Sequence, residues 1–131
     1  MQKIVADTNV VVSAIMSKTG NPAKIMDLFF TRQVDVYYSD AIMLEYEDVL
    51  FRPHFKFDTA DVYSFFTAMK EFGIFMEPEI STAEMPDEDD RAFYDAAKTI
   101  NAYLITGNLK HYPDEPHIIP PARFVEMFEV L

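Results

Sequence analysis

Apolar and polar residues alternate along the chain in short blocks of two kinds. Brief apolar runs with β-branched side chains are typical of buried strands, and longer stretches with apolar residues at three- and four-residue steps are typical of amphipathic helices. The pattern predicts strands at residues 3–6, 34–38, 74–76, 103–106 and 118–119. It predicts helices at residues 9–16, from 22 to 29, 40–50, from 58 or 59 to 72, 90–99 and after Pro120. Alternation of this kind favours an α/β fold in which helices cover both faces of a parallel sheet, within a single domain spanning residues 1–131.

Local signals set the predicted helix boundaries. Ser39 can cap the helix that follows it through its hydroxyl, and Asn21 is predicted to cap another helix with Pro22 in its first turn. One stretch carries a stripe of large apolar side chains, which we expect to face the core or, where exposed, a partner. The stripe consists of Phe65, Phe66, Met69, Phe72 and Phe75.

The composition limits the class of protein. The chain has 131 residues, of which 50% are hydrophobic, so it can bury a sizeable core. It has no cysteine, which excludes disulfide scaffolds, thiolate zinc sites and cysteine nucleophiles. No apolar run reaches the roughly 18 residues of a membrane-spanning helix, and the N-terminal run is too short for a signal peptide. We therefore expect a cytoplasmic protein that does not enter a membrane.

The negative charge is concentrated in one segment. The net charge is −11, and a bulk charge of this sign repels nucleic acid. Residues 77–95 contain eight acids and a single base, Arg91, so this window carries −7 of the −11. The acids are Glu77, Glu79, Glu84, Asp87, Glu88, Asp89, Asp90 and Asp95. The low isoelectric point is thus largely a local feature.

Polar segments follow three of the predicted strands, at residues 7–9, 39–40 and 106–108. In parallel sheets, ligands bind at the carboxyl ends of the strands. Asp7 follows the first strand directly and is expected at the mouth of such a site. Glu45 lies in the second turn of the helix after Ser39 and can point back over the strand ends.

Four consecutive acids stand at a predicted helix start, at residues 87–90. Helix capping accounts for one or two of them, and the others raise one another's pKa unless a cation gathers them. The three histidines, His54, His111 and His117, show no ligand spacing and are interpreted as surface or loop residues. Carboxylates without thiols or paired histidines indicate Mg²⁺ or Mn²⁺ rather than zinc.

Taken in order, these segments resemble the sequence blocks of PIN-domain ribonucleases, most closely the subgroup described as toxin components of bacterial toxin–antitoxin systems. The blocks are residues 5–9, Ser39 with Glu45, residues 87–94 and residues 104–108. No single block is specific, but the ordered set extends over essentially the whole chain.

The resemblance implies a metal-dependent endoribonuclease that hydrolyses RNA phosphodiester bonds. It assigns catalysis and the binding of Mg²⁺ or Mn²⁺ to Asp7, Glu45 and Asp90. Asp87 is a neighbouring candidate ligand. The implied partners are an RNA substrate, a cognate antitoxin protein and a second copy of the chain in a homodimer.

Asn108 departs from the family pattern, which usually has a fourth aspartate at this point. Its carbonyl can ligate a metal or orient a water, but one negative charge is lost, so a second metal would bind weakly. Thr8, Asn9 and Thr106 are expected to hold Asp7 in place rather than to bind metal themselves.

Two other classes of function are compatible with acids at the ends of strands in an α/β sheet. A receiver domain or an Asp-x-Asp phosphatase requires a second acid near the first strand, where this chain has Asn9. A PIN-fold binding protein that has lost its chemistry and acts through protein partners is the stronger alternative, and Asn108 and the negative charge favour it.

Overall fold

The computed structural model describes residues 1–53 and 56–129. Five parallel strands form one sheet in the order β3-β2-β1-β4-β5. They are Lys3–Ala6 (β1), Asp35–Tyr38 (β2), Ile74–Phe75 (β3), Tyr103–Ile105 (β4) and Ile118–Ile119 (β5). The predicted parallel α/β sheet is therefore confirmed, and each strand lies within one residue of its predicted bounds.

The central strand, β1, is paired on both sides and buried on both faces. Ile4 pairs with Val36 of β2 and with Tyr103 of β4, and both Ile4 and Val5 are fully buried. This burial explains why the strand reads as a continuous apolar run rather than an alternating one. The chain builds outward from β1 through β2 to β3 and then returns to the other side of β1, so the strand order reverses between β1 and β4.

In the described residues, six α-helices surround the sheet. They are Thr8–Met16 (α1), Asn21–Phe30 (α2), Asp40–Leu50 (α3), Thr59–Phe72 (α4), Arg91–Ile100 (α5) and Pro121–Glu129 (α6). Two 3₁₀ turns, Glu88–Asp90 and Leu109–His111, precede α5 and follow β4. α5 packs on β1 and β4, whereas α2 packs on α1 and α6. Because parallel crossovers are right-handed, the reversal of strand order places helices on both faces.

Three helix starts differ from their predictions. α1 begins at Thr8 rather than Asn9. The carbonyl of Gly20, not that of Asn21, accepts the first intrahelical bond of α2, from the N–H of Lys24 at 3.2 Å, so Gly20 is the capping residue and Asn21 is already helical. α5 begins at Arg91 rather than Asp90 because the preceding acids form the first 3₁₀ turn, capped by the Asp87 side chain at 3.0 Å from the N–H of Asp89. The predicted cap of α3 is confirmed, since Ser39 Oγ accepts from the N–H of Ile42 at 3.3 Å.

The apolar stripe of α4 is mainly core. Phe65 and Met69 are buried, and Phe66 and Phe72 pack against the core from its margin. Phe75, in β3, is 47% exposed.

None of the helices in the described residues is both long and apolar enough to cross a membrane.

Candidate metal centre

The predicted site residues Asp7 and Thr106 lie at the carboxyl ends of β1 and β4, where the strand order reverses. Asp7 follows β1 directly, and its N–H donates to the carbonyl of Ile105 at 2.9 Å. The hydrogen bond continues the sheet by one residue and directs both loops to the same edge. A crevice opens at such a reversal because the connections on its two sides leave in opposite directions.

Asp7 is a buried carboxylate held by neutral donors. It is 5% exposed, and its Oδ2 accepts hydrogen bonds from Thr106 Oγ1 at 2.8 Å, Tyr112 Oη at 3.0 Å and Asn9 Nδ2 at 3.2 Å. All three bonds reach Oδ2, which leaves Oδ1 without a donor among residues 1–53 and 56–129. Within the same ranges no Lys or Arg pairs with Asp7. The charge is thus oriented but not neutralised.

Asn9 and Thr106 tie the two loops together around this carboxylate. Asn9 Oδ1 accepts from the N–H of Gly107 at 2.9 Å, while its amide nitrogen donates to Asp7. Thr106 Oγ1 donates to Asp7 and accepts from the N–H of Asn108 at 3.0 Å. Thr8 is also buried, but its Oγ1 has no hydrogen-bond partner in the described part of the chain.

Three further side chains converge beside Asp7. Asp87, Asp90 and His111 each offer one ligand atom, and these atoms lie within 4.8 Å of one another. Asp90 Oδ2 is 3.0 Å from His111 Nδ1. Asp87 and Asp90 flank the 3₁₀ turn before α5, and His111 ends the 3₁₀ turn after β4. The acidic run and the loop after β4 therefore meet at one edge of the sheet.

Burial and neighbouring negative charge raise the pKa values of two groups at this edge, Asp90 and Tyr112. Burial, followed by the charges of Asp7 and Asp87, raises the pKa of Asp90 to about 6, although His111 acts in the opposite direction. Burial and then the charge of Asp7 also raise the pKa of the Tyr112 hydroxyl, which therefore stays protonated and continues to donate. The cluster carries more negative charge than its neighbours balance.

Glu45 lies within electrostatic range of this group but outside the cluster of three. It is exposed on α3, and burial, followed by the charges of Asp7 and Asp48, raises its pKa. Its neighbour Tyr46 is fully buried and donates its hydroxyl proton to the carbonyl of Ala6, the last residue of β1. That bond holds α3 over the end of the strand, which places Glu45 within electrostatic range of Asp7.

The acids at residues 87–90 do not act as one group. Arg91 binds Glu88 at 2.7 Å and also donates to Ser81 and Ala83, so it secures the preceding segment. This ion pair lowers the pKa of Glu88. The structure thus brings Asp87 and Asp90 to the site and removes Glu88 from it.

His111 is the main site residue that the sequence interpretation missed, together with Tyr112. His111 was interpreted as an ordinary surface or loop residue, but its ring contacts Asp90 and lies with Nε2 3.0 Å from Asn108 Nδ2. Positions three apart in a 3₁₀ turn lie above one another. The spacing of Asn108 and His111 was the available signal. His117 lies before β5 beside Glu115, and His54 lies outside the described residues.

Comparison with known proteins identifies the family. The PIN domain family model matches residues 3–110, which include every residue of the site except His111 and Tyr112. The chain belongs to the PIN domain family. An uncharacterized protein of Methanocaldococcus jannaschii is 30% identical to this PIN domain over 109 residues, which are 81% of this chain and 70% of that protein. No solved structure gives a significant match.

PIN domains are generally metal-dependent nucleases, and the donors of this PIN domain suit a divalent cation. Carboxylate oxygens are the ligands that Mg²⁺ and Mn²⁺ prefer, and an imidazole nitrogen is accepted by Mn²⁺ more readily than by Mg²⁺. Asp87 and Asp90 supply the oxygens and His111 the nitrogen. The unbalanced charge around Asp7 and Asp90 is what a bound cation would neutralise.

Proposed function

We propose that this PIN domain is an endoribonuclease that uses Mg²⁺ or Mn²⁺ to hydrolyse RNA phosphodiester bonds. The observation that carries the proposal is the convergence of Asp87, Asp90 and His111 within 4.8 Å, beside a buried Asp7 with no basic partner in the described residues. Asp7, Glu45 and Asp90 are the proposed catalytic and metal-binding residues.

The residues of the proposed site have two roles: some would bind the metal, and others orient Asp7 through hydrogen bonds. Asp90 and Asp87 present oxygens toward the shared space, while Asp7 presents the oxygen that no described residue donates to. Thr106 and Tyr112 keep Asp7 in one orientation with a proton on each donor. A divalent ion bound there would supply a water of lowered pKa and positive charge for the phosphate oxygens.

The net charge of −11 is compatible with an RNA substrate on this proposal. Asp7, Asp87 and Asp90 contribute negative charge at the site itself, and bound cations would reverse the sign of such a carboxylate cluster locally. Metal binding would therefore be required for the approach of RNA as well as for its cleavage. The charge elsewhere still predicts weak binding that depends on ionic strength.

Cleavage of a mixed RNA pool tests the proposal. We expect the wild-type chain to cut RNA in Mn²⁺, whereas Asp7→Asn and Asp90→Asn cut it at least about 100-fold more slowly, since each loses a ligand charge. Glu115→Gln is the matched control, because Glu115 lies at the other end of α5. DNA of the same sequence distinguishes a ribonuclease from a general nuclease. Equal cleavage by all variants, or none by the wild type, would contradict the proposal.

A PIN-fold binding protein without activity is the second candidate. Asn108 favours it, because an amide in place of an acid removes one charge from the site. Binding of Mn²⁺ without cleavage of any RNA would support this candidate.

We also propose that the chain is the toxin of a toxin–antitoxin pair, on the resemblance of its motifs to that subgroup. Exposed Phe51 and Tyr63 lie together, with ring centroids 6.3 Å apart, and offer an apolar surface for an antitoxin or for a second copy in a homodimer. Induced expression should then arrest growth, and Asp90→Asn should relieve the arrest. Growth unaffected by an active, expressed chain would contradict the toxin role, and a monomeric mass in solution would contradict the homodimer.

A further inference from the structure

His111 occupies a position that its sequence context does not explain. It ends a short 3₁₀ turn on the loop after β4, and 44% of its side chain is exposed. A histidine on such a loop is normally free to face solvent. Its ring instead contacts two polar side chains: Nδ1 lies 3.0 Å from Asp90 Oδ2, and Asn108 Nδ2 lies 3.0 Å from Nε2 and 3.3 Å from Nδ1.

The contact with Asn108 orients the ring. An amide NH₂ group can only donate, and the tautomer of His111 decides which ring nitrogen accepts from it and whether Nδ1 donates to Asp90. Half a turn of the amide presents its oxygen instead. That oxygen accepts a proton on Nε2 and leaves the lone pair of Nδ1 facing Asp90 and Asp87. A carbonyl behind a histidine is the usual support of a metal-ligating ring.

The spacing of the donor atoms suits a shared ion. Adjacent donors around an octahedral ion with bonds of about 2.1 Å are about 3 Å apart. Asp90 Oδ2 and His111 Nδ1 are separated by 3.0 Å, and the ligand atom of Asp87 completes a group within 4.8 Å. No Lys or Arg forms an ion pair with Asp87 or Asp90 in the described ranges. The local charge therefore favours a cation at this point.

We propose that His111 is a metal ligand of this PIN domain and that Asn108 positions its ring rather than binding the metal itself. The inference rests on the proposed function in one respect, the presence of a divalent cation at the site. On this proposal, the metal ligand from the loop after β4 is the ring nitrogen of His111 instead of the side-chain oxygen of Asn108.

A nitrogen donor has a consequence for metal choice. Imidazole binds transition-metal ions in preference to Mg²⁺, which favours oxygen ligands and keeps its waters. The chain therefore binds Mn²⁺ more tightly than Mg²⁺, and the preference depends on His111. Substitution of a residue that only supports the fold would weaken the binding of both metals alike.

Mn²⁺ alone is the probe, added to the purified full chain at pH 7.5 without RNA. Electron spin echo spectroscopy of bound Mn²⁺ detects a directly coordinated imidazole nitrogen. We expect this nitrogen signal in the wild type and in His117→Asn, the matched histidine control, and its loss in His111→Asn. Calorimetric titration should show Mn²⁺ affinity falling at least tenfold in His111→Asn while Mg²⁺ affinity changes less. Asn108→Ala should keep the nitrogen signal but weaken the binding of Mn²⁺.

Several results would overturn the inference. They are a wild-type spectrum without a nitrogen signal, a signal that survives in His111→Asn, equal losses of Mn²⁺ and Mg²⁺ affinity, and no binding of Mn²⁺ at millimolar concentration. The wild-type spectrum decides the matter even if a variant does not fold. Nitrogen coordination without RNA cleavage would overturn the proposed function alone, and RNA cleavage without nitrogen coordination would overturn this inference alone.

Discussion

Two carboxyl groups at opposite ends of α5 have pKa values that are shifted in opposite directions. Asp90 precedes its first turn and Glu115 lies against its last, with side chains 17% and 23% exposed and a histidine beside each. The pKa of Asp90 rises to about 6, whereas the pKa of Glu115 falls.

The difference comes from the neighbours. Burial acts to raise the pKa of Glu115, but Lys98 Nζ at 2.7 Å and Tyr94 Oη at 2.6 Å outweigh it by donating to the carboxylate. Asp90 has the charges of Asp7 and Asp87 nearby instead, and His111 balances them only in part. One end of the helix has its cation built in as Lys98. The other end has no Lys or Arg paired with Asp90 in the described residues, and its ligand atoms could hold a divalent cation.

The largest expected effect is stabilisation by metal. Mn²⁺ at about 100 times its dissociation constant should raise the free energy of unfolding by about 2.7 kcal/mol, because it binds only the folded chain. Urea unfolding with and without Mn²⁺ measures the gain. We expect Asp90→Asn to lose most of it and Glu115→Gln to keep it. A gain that depends on Glu115 would reverse the comparison.

The next largest change in stability should follow removal of a hydroxyl group that donates to Asp7. Thr106→Val removes the buried hydroxyl that donates to Asp7 and accepts from Asn108, at a cost of about 1–3 kcal/mol in urea unfolding. Thr99→Val is the matched control, because its exposed hydroxyl bonds only to the backbone of Asp95 and Glu79. An equal or larger loss in the control would show that the charge of Asp7 adds nothing to the cost.

Asp90→Asn should stabilise the metal-free chain at neutral pH. A carboxyl whose pKa is raised on folding adds stability below its unfolded pKa, and this contribution disappears as pH rises through about 6. The charged form is therefore unfavourable at pH 7, and the variant should gain about 1 kcal/mol after allowance for solvent screening. Thermal unfolding at pH 7.5 and pH 5 tests this.

The increase in the free energy of unfolding caused by Asp90→Asn should be smaller at pH 5 than at pH 7.5. Glu115→Gln should show the opposite sign, because a lowered pKa adds stability that is lost only as pH falls. The same sign in both variants would remove the contrast between the two ends of α5.

The smallest expected change in stability comes from removing the ion pair between Lys98 and Glu115. Lys98→Met keeps the length of the side chain and removes its charge, and we expect a loss of about 0.5 kcal/mol because the pair is partly exposed. The pKa of Glu115 should rise toward its ordinary value, which NMR titration of its carboxyl carbon would detect. An unchanged pKa would mean that Tyr94 alone lowers it.

The parts of the site that depend on strand ends could be predicted from the sequence. Asp7 and Thr106 each follow an apolar run, and the carboxyl ends of parallel strands meet at one edge of the sheet. Their positions in the chain are therefore enough to predict that they lie close together. The run of acids similarly indicated Asp90.

The parts that depend on the path of a loop could not be predicted. His111 and Tyr112 reach the site because a 3₁₀ turn bends the chain back after β4, and such a turn has no hydrophobic periodicity. The partners of Arg91 could not be predicted either, because they include the backbone carbonyls of Ser81 and Ala83. Asn21 was misjudged as a cap because Gly20 takes that role without a side-chain signal.

The hydrogen bonds that hold Asp7 have a bearing on how the protein is made. Thr106 and Tyr112 lie 99 and 105 positions after Asp7 in the chain. A ribosome releases the N-terminal part first, so β1 and β2 can pair long before these donors exist. Until they are made, Asp7 can be held only by its near neighbour Asn9, and His111 is added 21 positions after Asp90. On the proposed function, the site that would attack RNA is therefore complete only once residue 112 has been translated.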